Sequence, residues 1–372
     1  MGKRPCPDCG GELEWDAARQ VLRCPYCGFV PGDQPAPRPP AGLGTAAAAA
    51  ALSPVEELDL ETALASPDAA HRGYGGETVK VKCQSCHAIS VFDPSRVAQR
   101  CDFCGSPAIV PYAATRDAIT PQSVLPMRLG EPQARDVVKA WYRSRWLAPN
   151  RLKSAGLTDT LRGVYLPYWT FDAHVTARWT AESGDYYYDT ELVTAADGKR
   201  VARQVRKVRW YPTAGQLAHF FDDELVPGSA GVRLDLLRAV EPFPTQNLVP
   251  YDPAFVRGWT VERYQVDLRS ASVASSRQME QKAYAMCAAR VPGDTHRNLR
   301  VTTDYASRTF KHVLVPAWLV TYTFGPRTFQ TIVNGQTGAV AGDAPVSGVK
   351  VLFYIVLPAM IALAVLVWLQ SR

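Results

Sequence analysis

Eight of the nine cysteines fall into two sets of four with one spacing. The first set is Cys6-x-x-Cys9, fourteen residues, Cys24-x-x-Cys27; the second is Cys83-x-x-Cys86, fourteen residues, Cys101-x-x-Cys104. One shift along the chain carries every cysteine of the first set onto its counterpart. It also carries Arg23-Cys24-Pro25-Tyr26-Cys27-Gly28 onto Arg100-Cys101-Asp102-Phe103-Cys104-Gly105. Two thiolates on one tight turn grip a tetrahedral ion at ~2.3 Å from each sulphur, and a second turn returned by a short hairpin completes the shell. Gly10, Gly28 and Gly105 follow three of the pairs, where such a turn favours positive φ. His87 takes that place in the fourth; with four cysteines already filling the site, it reads as a turn residue. The spacing predicts two zinc ribbons, each holding one structural Zn2+ with no position left for water or substrate. Redox chemistry at a CxxC pair would need a thioredoxin-like βαβ context, which the sequence lacks.

The remaining chain divides by composition. Residues 1–30 form ribbon one. Residues 31–77 form a Pro/Ala-rich linker (PGDQPAPRPPAGLGTAAAAAA at its start) with a short helix, for which Ser53-Pro54-Val55-Glu56 offers a cap and Ala65 an end. Ribbon two covers 78–112. Residues 113–345 read as a mixed α+β domain rich in antiparallel strands. Glu131-Pro132 opens a helix running to Trp146, with Val138, Trp141 and Arg145 along one side. Trp169, Phe171, Ala173, Val175, Ala177 and Trp179 alternate with Thr170, Asp172, His174, Thr176 and Arg178, a strand with one buried and one wet face. Asp197-Gly198 predicts a hairpin turn between 186–193 and 200–211. A second helix is expected over 271–290. Trp318, Val320, Tyr322 and Phe324 alternate again, then Gly325-Pro326 turns the chain into a partner strand at 327–333, and Asn334-Gly335 turns it once more. Leu166-Pro167-Tyr168-Trp169 resembles Val315-Pro316-Ala317-Trp318, which raises an internal duplication of a β unit.

Val351–Leu369 is an unbroken apolar run. At ~1.5 Å per residue it spans about 28 Å, close to the ~30 Å hydrocarbon core of a bilayer. Tyr354 and Trp368 lie near its ends and Lys350 flanks it, so residues 349–370 are expected to form one transmembrane helix. No apolar leader precedes Cys6, and reduced thiols belong in a reducing compartment. The expectation is a tail-anchored, single-pass membrane protein with the bulk of the chain in the cytoplasm.

Catalytic signatures are missing. The sequence has no GxxxxGK(S/T), GxSxG, HExxH or GxGxxG. The six histidines, 71, 87, 174, 219, 296 and 312, are scattered, and Cys287 reads as a buried helix residue. The chain is therefore expected not to be an enzyme and to take no small-molecule substrate. The net charge of +6 is compatible with anionic partners and diagnostic of none. Lys199, Arg200, Arg203, Arg206, Lys207 and Arg209 form a basic stretch that could meet phosphates of nucleic acid or lipid. The plainer reading is a hairpin arm whose charges block edge pairing. Lys139-Ala140-Trp141-Tyr142-Arg143-Ser144-Arg145-Trp146 interleaves aromatics with bases, in a helical context where the rings are core.

The ribbons, Arg145-Trp146-Leu147-Ala148-Pro149-Asn150, Gly163-Val164-Tyr165-Leu166-Pro167-Tyr168-Trp169-Thr170-Phe171-Asp172-Ala173 and Val333-Asn334-Gly335-Gln336-Thr337-Gly338 together resemble a bacterial family of membrane-anchored zinc-ribbon proteins. Its members often carry the labels transcription-factor-IIB-type zinc ribbon protein or primosomal protein N′/superfamily II helicase-like. The resemblance covers most of 78–345. It implies a membrane adaptor that recruits protein partners, among them membrane-scaffold or stress-response proteins. Helicase activity does not follow, because the ATPase motifs are missing. The alternative function is a membrane-associated nucleic-acid-binding module built from the ribbons and the basic hairpin.

Overall fold

The computed structural model describes residues 5–17, 19–31, 55–66, 78–92, 99–113, 118–149, 161–194, 200–324 and 327–370. Ribbon one is a hairpin of β1 (Glu14–Asp16) and β2 (Val21–Arg23). Next come β3 (Leu58–Asp59) and helix α1 (Leu60–Ala65), capped by Asp59, whose carboxylate accepts from the Thr62 amide. The helix therefore starts later than Ser53-Pro54 suggested, a dipeptide that lies outside the described residues. Leu58 and Asp59 are instead drawn into pairing with a distant strand.

Ribbon two supplies β4 (Val79–Cys83), β5 (Ile89–Phe92) and β6 (Ile109–Pro111). Then follow β7 (Ser123–Val124), α2 (Glu131–Ser144), β8 (Leu161–Thr194) and β9 (Arg200–Pro227). After these come α3 (Leu234–Val240), β10 (Val249–Pro250), α4 (Pro253–Val256), β11 (Thr260–Arg263) and α5 (Leu268–Ala288). The last strands are β12 (Thr295–Phe324), β13 (Arg327–Asn334) and β14 (Val340–Gly342). Strands β3 to β14 belong to one twelve-stranded sheet. Because β5 pairs antiparallel with β11 (Val91 opposite Val261), ribbon two runs into this sheet without a break. The boundary expected at residue 112 is therefore not a structural boundary.

The sheet is organised by β8, β9 and β12. The alternation read over Trp169–Trp179 is the middle of the 34-residue β8. Its odd-numbered side chains are buried with Leu268, Ala271, Met279, Ala283 and Cys287, the stripe that α5 lays across that face. On the other face His174 and Arg178 are exposed, as expected. Thr170 and Asp172 are not: both are buried, where the side chains of Lys311 and Glu57 crowd that face. Helix α2 buries Ala134, Val138 and Tyr142 at four-residue spacing, and the Tyr142 hydroxyl shares a 2.7 Å hydrogen bond with Thr331. It ends at Ser144, so Arg145 lies past the helix with its guanidinium over Trp141. The turn residues Asp197-Gly198 and Gly325-Pro326 fall outside the described residues.

The β8–β9 pairing continues past the last rung between β8 and β12, Gly184 opposite Thr295, out to Thr194 opposite Arg200. Ten residues at ~3.3 Å each make a two-stranded arm of about 33 Å. At the other end of the sheet, helix Gly348–Gln370 leaves the domain with none of its apolar span buried in the protein. Pro358 has no amide to offer the preceding turn, and residues Leu352–Val356 form a π-helical turn just ahead of it.

Candidate metal centres

In each cysteine set, four sulphurs lie within 4.8 Å of one another. The sulphurs of Cys6 and Cys27 are 3.5 Å apart, as are those of Cys9 and Cys24. In the second set Cys83 and Cys104 are 3.5 Å apart, and Cys86 and Cys101 3.6 Å. A disulfide needs about 2.05 Å, so these are free thiols. Four sulphurs at ~2.3 Å from one ion would stand a little under 4 Å apart, so both donor sets fit a tetrahedral metal.

The knuckles form for local reasons. Gly10 (φ 72°), Gly28 (80°) and Gly105 (72°) turn left-handed, and His87 (63°) does the same in the fourth knuckle. Each of these glycine amides returns to the first cysteine of its pair at 2.9 Å: Gly10 to the Cys6 carbonyl, Gly28 to Cys24 and Gly105 to Cys101. At site two the Ser85 amide donates to the Cys83 sulphur (3.3 Å) and the Phe103 amide to the Cys101 sulphur (3.4 Å), so backbone amides hold both sulphurs in place. Gly11 is needed for space: a Cβ there would stand 2.7 Å from the Tyr26 ring and 3.3 Å from the Cys9 and Cys24 sulphurs.

The two centres differ in how they meet the rest of the molecule. Tyr26 and Phe103 hold the same knuckle position, yet Tyr26 is 80% exposed and Phe103 fully buried. Phe103 enters the core among Leu125, Val164, Leu166 and Tyr168, while its carbonyl accepts from Thr321 (2.8 Å) and Gln330 (3.0 Å). Its neighbour Asp102 accepts from the Thr260 hydroxyl. Site two is therefore built into the sheet domain. Site one docks through its hairpin: Trp15 donates to the Met127 carbonyl at 2.8 Å and packs on Phe255, and Glu12 pairs with Arg257.

The basic stretch of β9 is divided by the strand pleat. Arg203, Lys207 and Arg209 share a face with Asp185, Asp189 and Glu191 of β8. Lys207 lies 2.7 Å from both Asp189 and Glu191. Arg200 and Arg206 stand on the other face with Tyr186, Tyr188 and Leu192, where Arg206 stacks over Tyr186 at 4.3 Å. Lys199 lies outside the described residues. Tyr188 and Leu192 are each about two-thirds exposed.

One cluster went unread in the sequence. Asp172, Asp222 and Asp223 bring carboxylate oxygens within 4.8 Å of one another, but Lys311 supplies a cation there, 2.7 Å from Asp223 and 3.0 Å from Glu57. Burial pushes the Asp172 carboxyl up to about 6. Burial works against the Lys311 ammonium, yet Asp223, Asp172 and Glu57 outweigh it and hold the pKa above the ordinary lysine value. Only the register of three strands, β8, β9 and β12, together with Glu57 ahead of β3, assembles this group.

No family model matches the chain. It is similar to an uncharacterized protein, YdjG, of Bacillus subtilis (strain 168), 22% identical over 244 residues. That match takes in 63% of this chain and 66% of the relative, just under two thirds of its length. No solved structure matches.

Proposed function

We propose that this chain is a non-enzymatic, single-span membrane adaptor in which two structural zinc ions stiffen the ribbons and a projecting β arm recruits a protein partner. The observation that carries the reading is the arm. One of its faces exposes Tyr188 and Leu192 beside Tyr186, Arg200 and Arg206. Tyrosine and arginine are the side chains that anchor protein interfaces, because each joins a large apolar area to a polar tip. The closed four-sulphur centres offer no open coordination position for catalysis.

The nucleic-acid alternative loses support from the same strands. Three of the six bases face three acids, so the described strands of the arm present no continuous cationic stripe for a phosphate backbone. A photo-crosslinking residue placed at Tyr188 in the full chain, in native membranes, tests the two readings. We expect a discrete protein adduct that Leu192→Ser weakens. Adducts to nucleic acid that fade as salt is raised would sink the adaptor reading.

A further inference from the structure

The proposed span is not hung on a loose tether. Its first helical residue, Gly348, follows directly on Ser347, whose amide donates to the Leu147 carbonyl at 2.9 Å. The Lys350 ammonium donates to the carbonyls of Trp146 (3.1 Å) and Ala148 (2.7 Å). The Trp146 ring, 55% exposed, meets the Tyr354 ring edge-on with centroids 5.9 Å apart. The segment closing α2 is thus fastened to the first two turns of the apolar helix at four points. Arg143 and Arg145 stand exposed on the same segment.

From this geometry, and resting on the membrane-span reading above, we infer that the segment leaving α2, Arg143–Ala148, sits in the headgroup layer of the bilayer. There Trp146 occupies the interface and Arg143 and Arg145 face anionic lipid headgroups. Tyr354 lies only three residues into the apolar run that starts at Val351, at ~4.5 Å of rise, next to the boundary between headgroups and hydrocarbon. A tryptophan held against that tyrosine has to share its level. Indole rings favour this level because their apolar body and polar N–H match its two sides, and cations beside it are drawn to anionic lipid. The consequence is mechanical: the sheet domain is held in a fixed pose on the bilayer, and the arm at the far end of β8 is aimed by it.

The full chain in vesicles of phosphatidylcholine and phosphatidylserine, brominated at a shallow acyl position, gives the test. Bromine quenches only the indoles it touches. Trp368, near the other end of the helix, reports the span, and Trp146 reports the headgroup contact. We expect quenching in the wild type, part of it lost in Trp146→Phe and a separate part lost in Trp368→Phe. With Arg143 and Arg145 both changed to Glu, the Trp146 part should fall while the Trp368 part stays. If Trp146→Phe leaves the quenching unchanged while Trp368→Phe reduces it, the span holds and this inference fails. An unchanged Trp146 part in the charge-reversed variant overturns the role given to anionic lipid. If neither tryptophan is quenched, the span reading itself falls and takes the inference with it.

Discussion

Leu166 and Val315, which hold the same place in the two copies of the Leu/Val-Pro-x-Trp motif, are paired with each other across β8 and β12. The neighbouring pairings obey the same relation. β11 joins β8 in parallel at Val164 and Tyr165, and β7 joins β12 in parallel at Val313 and Leu314, the positions that the motif makes equivalent. β9 ends on Tyr168 and β13 ends on its equivalent, Ala317. A short strand, a helix, a long strand and its antiparallel partner thus occur twice, as β7-α2-β8-β9 and β11-α5-β12-β13, about a local two-fold through Leu166 and Val315. This arrangement is the one that an internal duplication of a β unit would produce. Each short strand pairs with the long strand of the other copy, so neither half could bury its own sheet alone.

The contrast between Tyr26 and Phe103 gives the two metal centres different consequences. Two zinc ions per chain are expected by metal analysis. Replacing Cys6 and Cys9 by Ser should remove one and leave the main thermal transition in place. Replacing Cys83 and Cys86 should remove the other and lower that transition, because the Cys101–Cys104 knuckle carries Phe103 into the core. Phe103→Ala alone should cost about 3–5 kcal/mol in denaturant unfolding, with the second zinc lost more readily to a chelator. A transition insensitive to both changes would show that ribbon two is a separate unit after all.

The eight cysteines were legible because metal-ligand spacing is local, and the Trp169–Trp179 strand was legible because a sheet covered on one face alternates. Legibility stopped where the second face was covered too. Thr170 and Asp172 fit the wet set in sequence, yet partners more than a hundred residues away bury them. The junction of ribbon two with the sheet was hidden for a similar reason: β5 meets β11 through backbone pairing, which leaves almost no mark in side chains. A weak signal was present in the exchange of Tyr26 for Phe103 at an otherwise repeated position, since losing a hydroxyl is what full burial favours.

Lys311 should be the most sensitive charged residue of the domain. Its side chain is 6% exposed and it lies 2.7 Å from Asp223, 3.0 Å from Glu57 and 3.8 Å from Asp172. Lys311→Met leaves those carboxylates facing one another, and removing one member of a buried ion pair costs about 3–5 kcal/mol. Glu57→Gln should cost much less, since Glu57 is partly in water and the lysine keeps two partners. Denaturant unfolding of the two variants in one detergent measures the difference; equal losses would mean that the pairing carries no special weight.

Glu262 predicts a pH dependence. Burial pushes its carboxyl up to about 7, opposed by hydrogen bonds from Ser229, Gly231, Ala230 and Gln265. Between the ordinary carboxylate pKa and pH 7 the folded chain therefore binds a proton that the unfolded chain has released. The contribution of this group is complete below about pH 4, declines as pH rises, and is gone above about pH 7; the span of the shift is worth about 3 kcal/mol. Glu262→Gln is neutral throughout. It should flatten the stability curve over that window and be more stable than the wild type at pH 8. A wild-type curve parallel to that of the variant would show Glu262 to be ionised in the fold.

The direction proposed for the chain in a membrane rests on its thiols and its charges. Four-sulphur centres hold metal only while the cysteines stay reduced, and the cytoplasm is the compartment that keeps them so. Lys350, Arg143 and Arg145 gather where the apolar helix leaves the domain, and cations on that side of a span are retained in the cytoplasm. Deleting 348–372 should move the protein from the membrane to the soluble fraction, with the sheet domain still folded by circular dichroism. Protease added outside intact spheroplasts should leave the ribbons whole and cut them only after lysis. Cleavage of the ribbons before lysis would reverse the topology, place the thiols in an oxidising compartment and remove the ground for zinc in both centres.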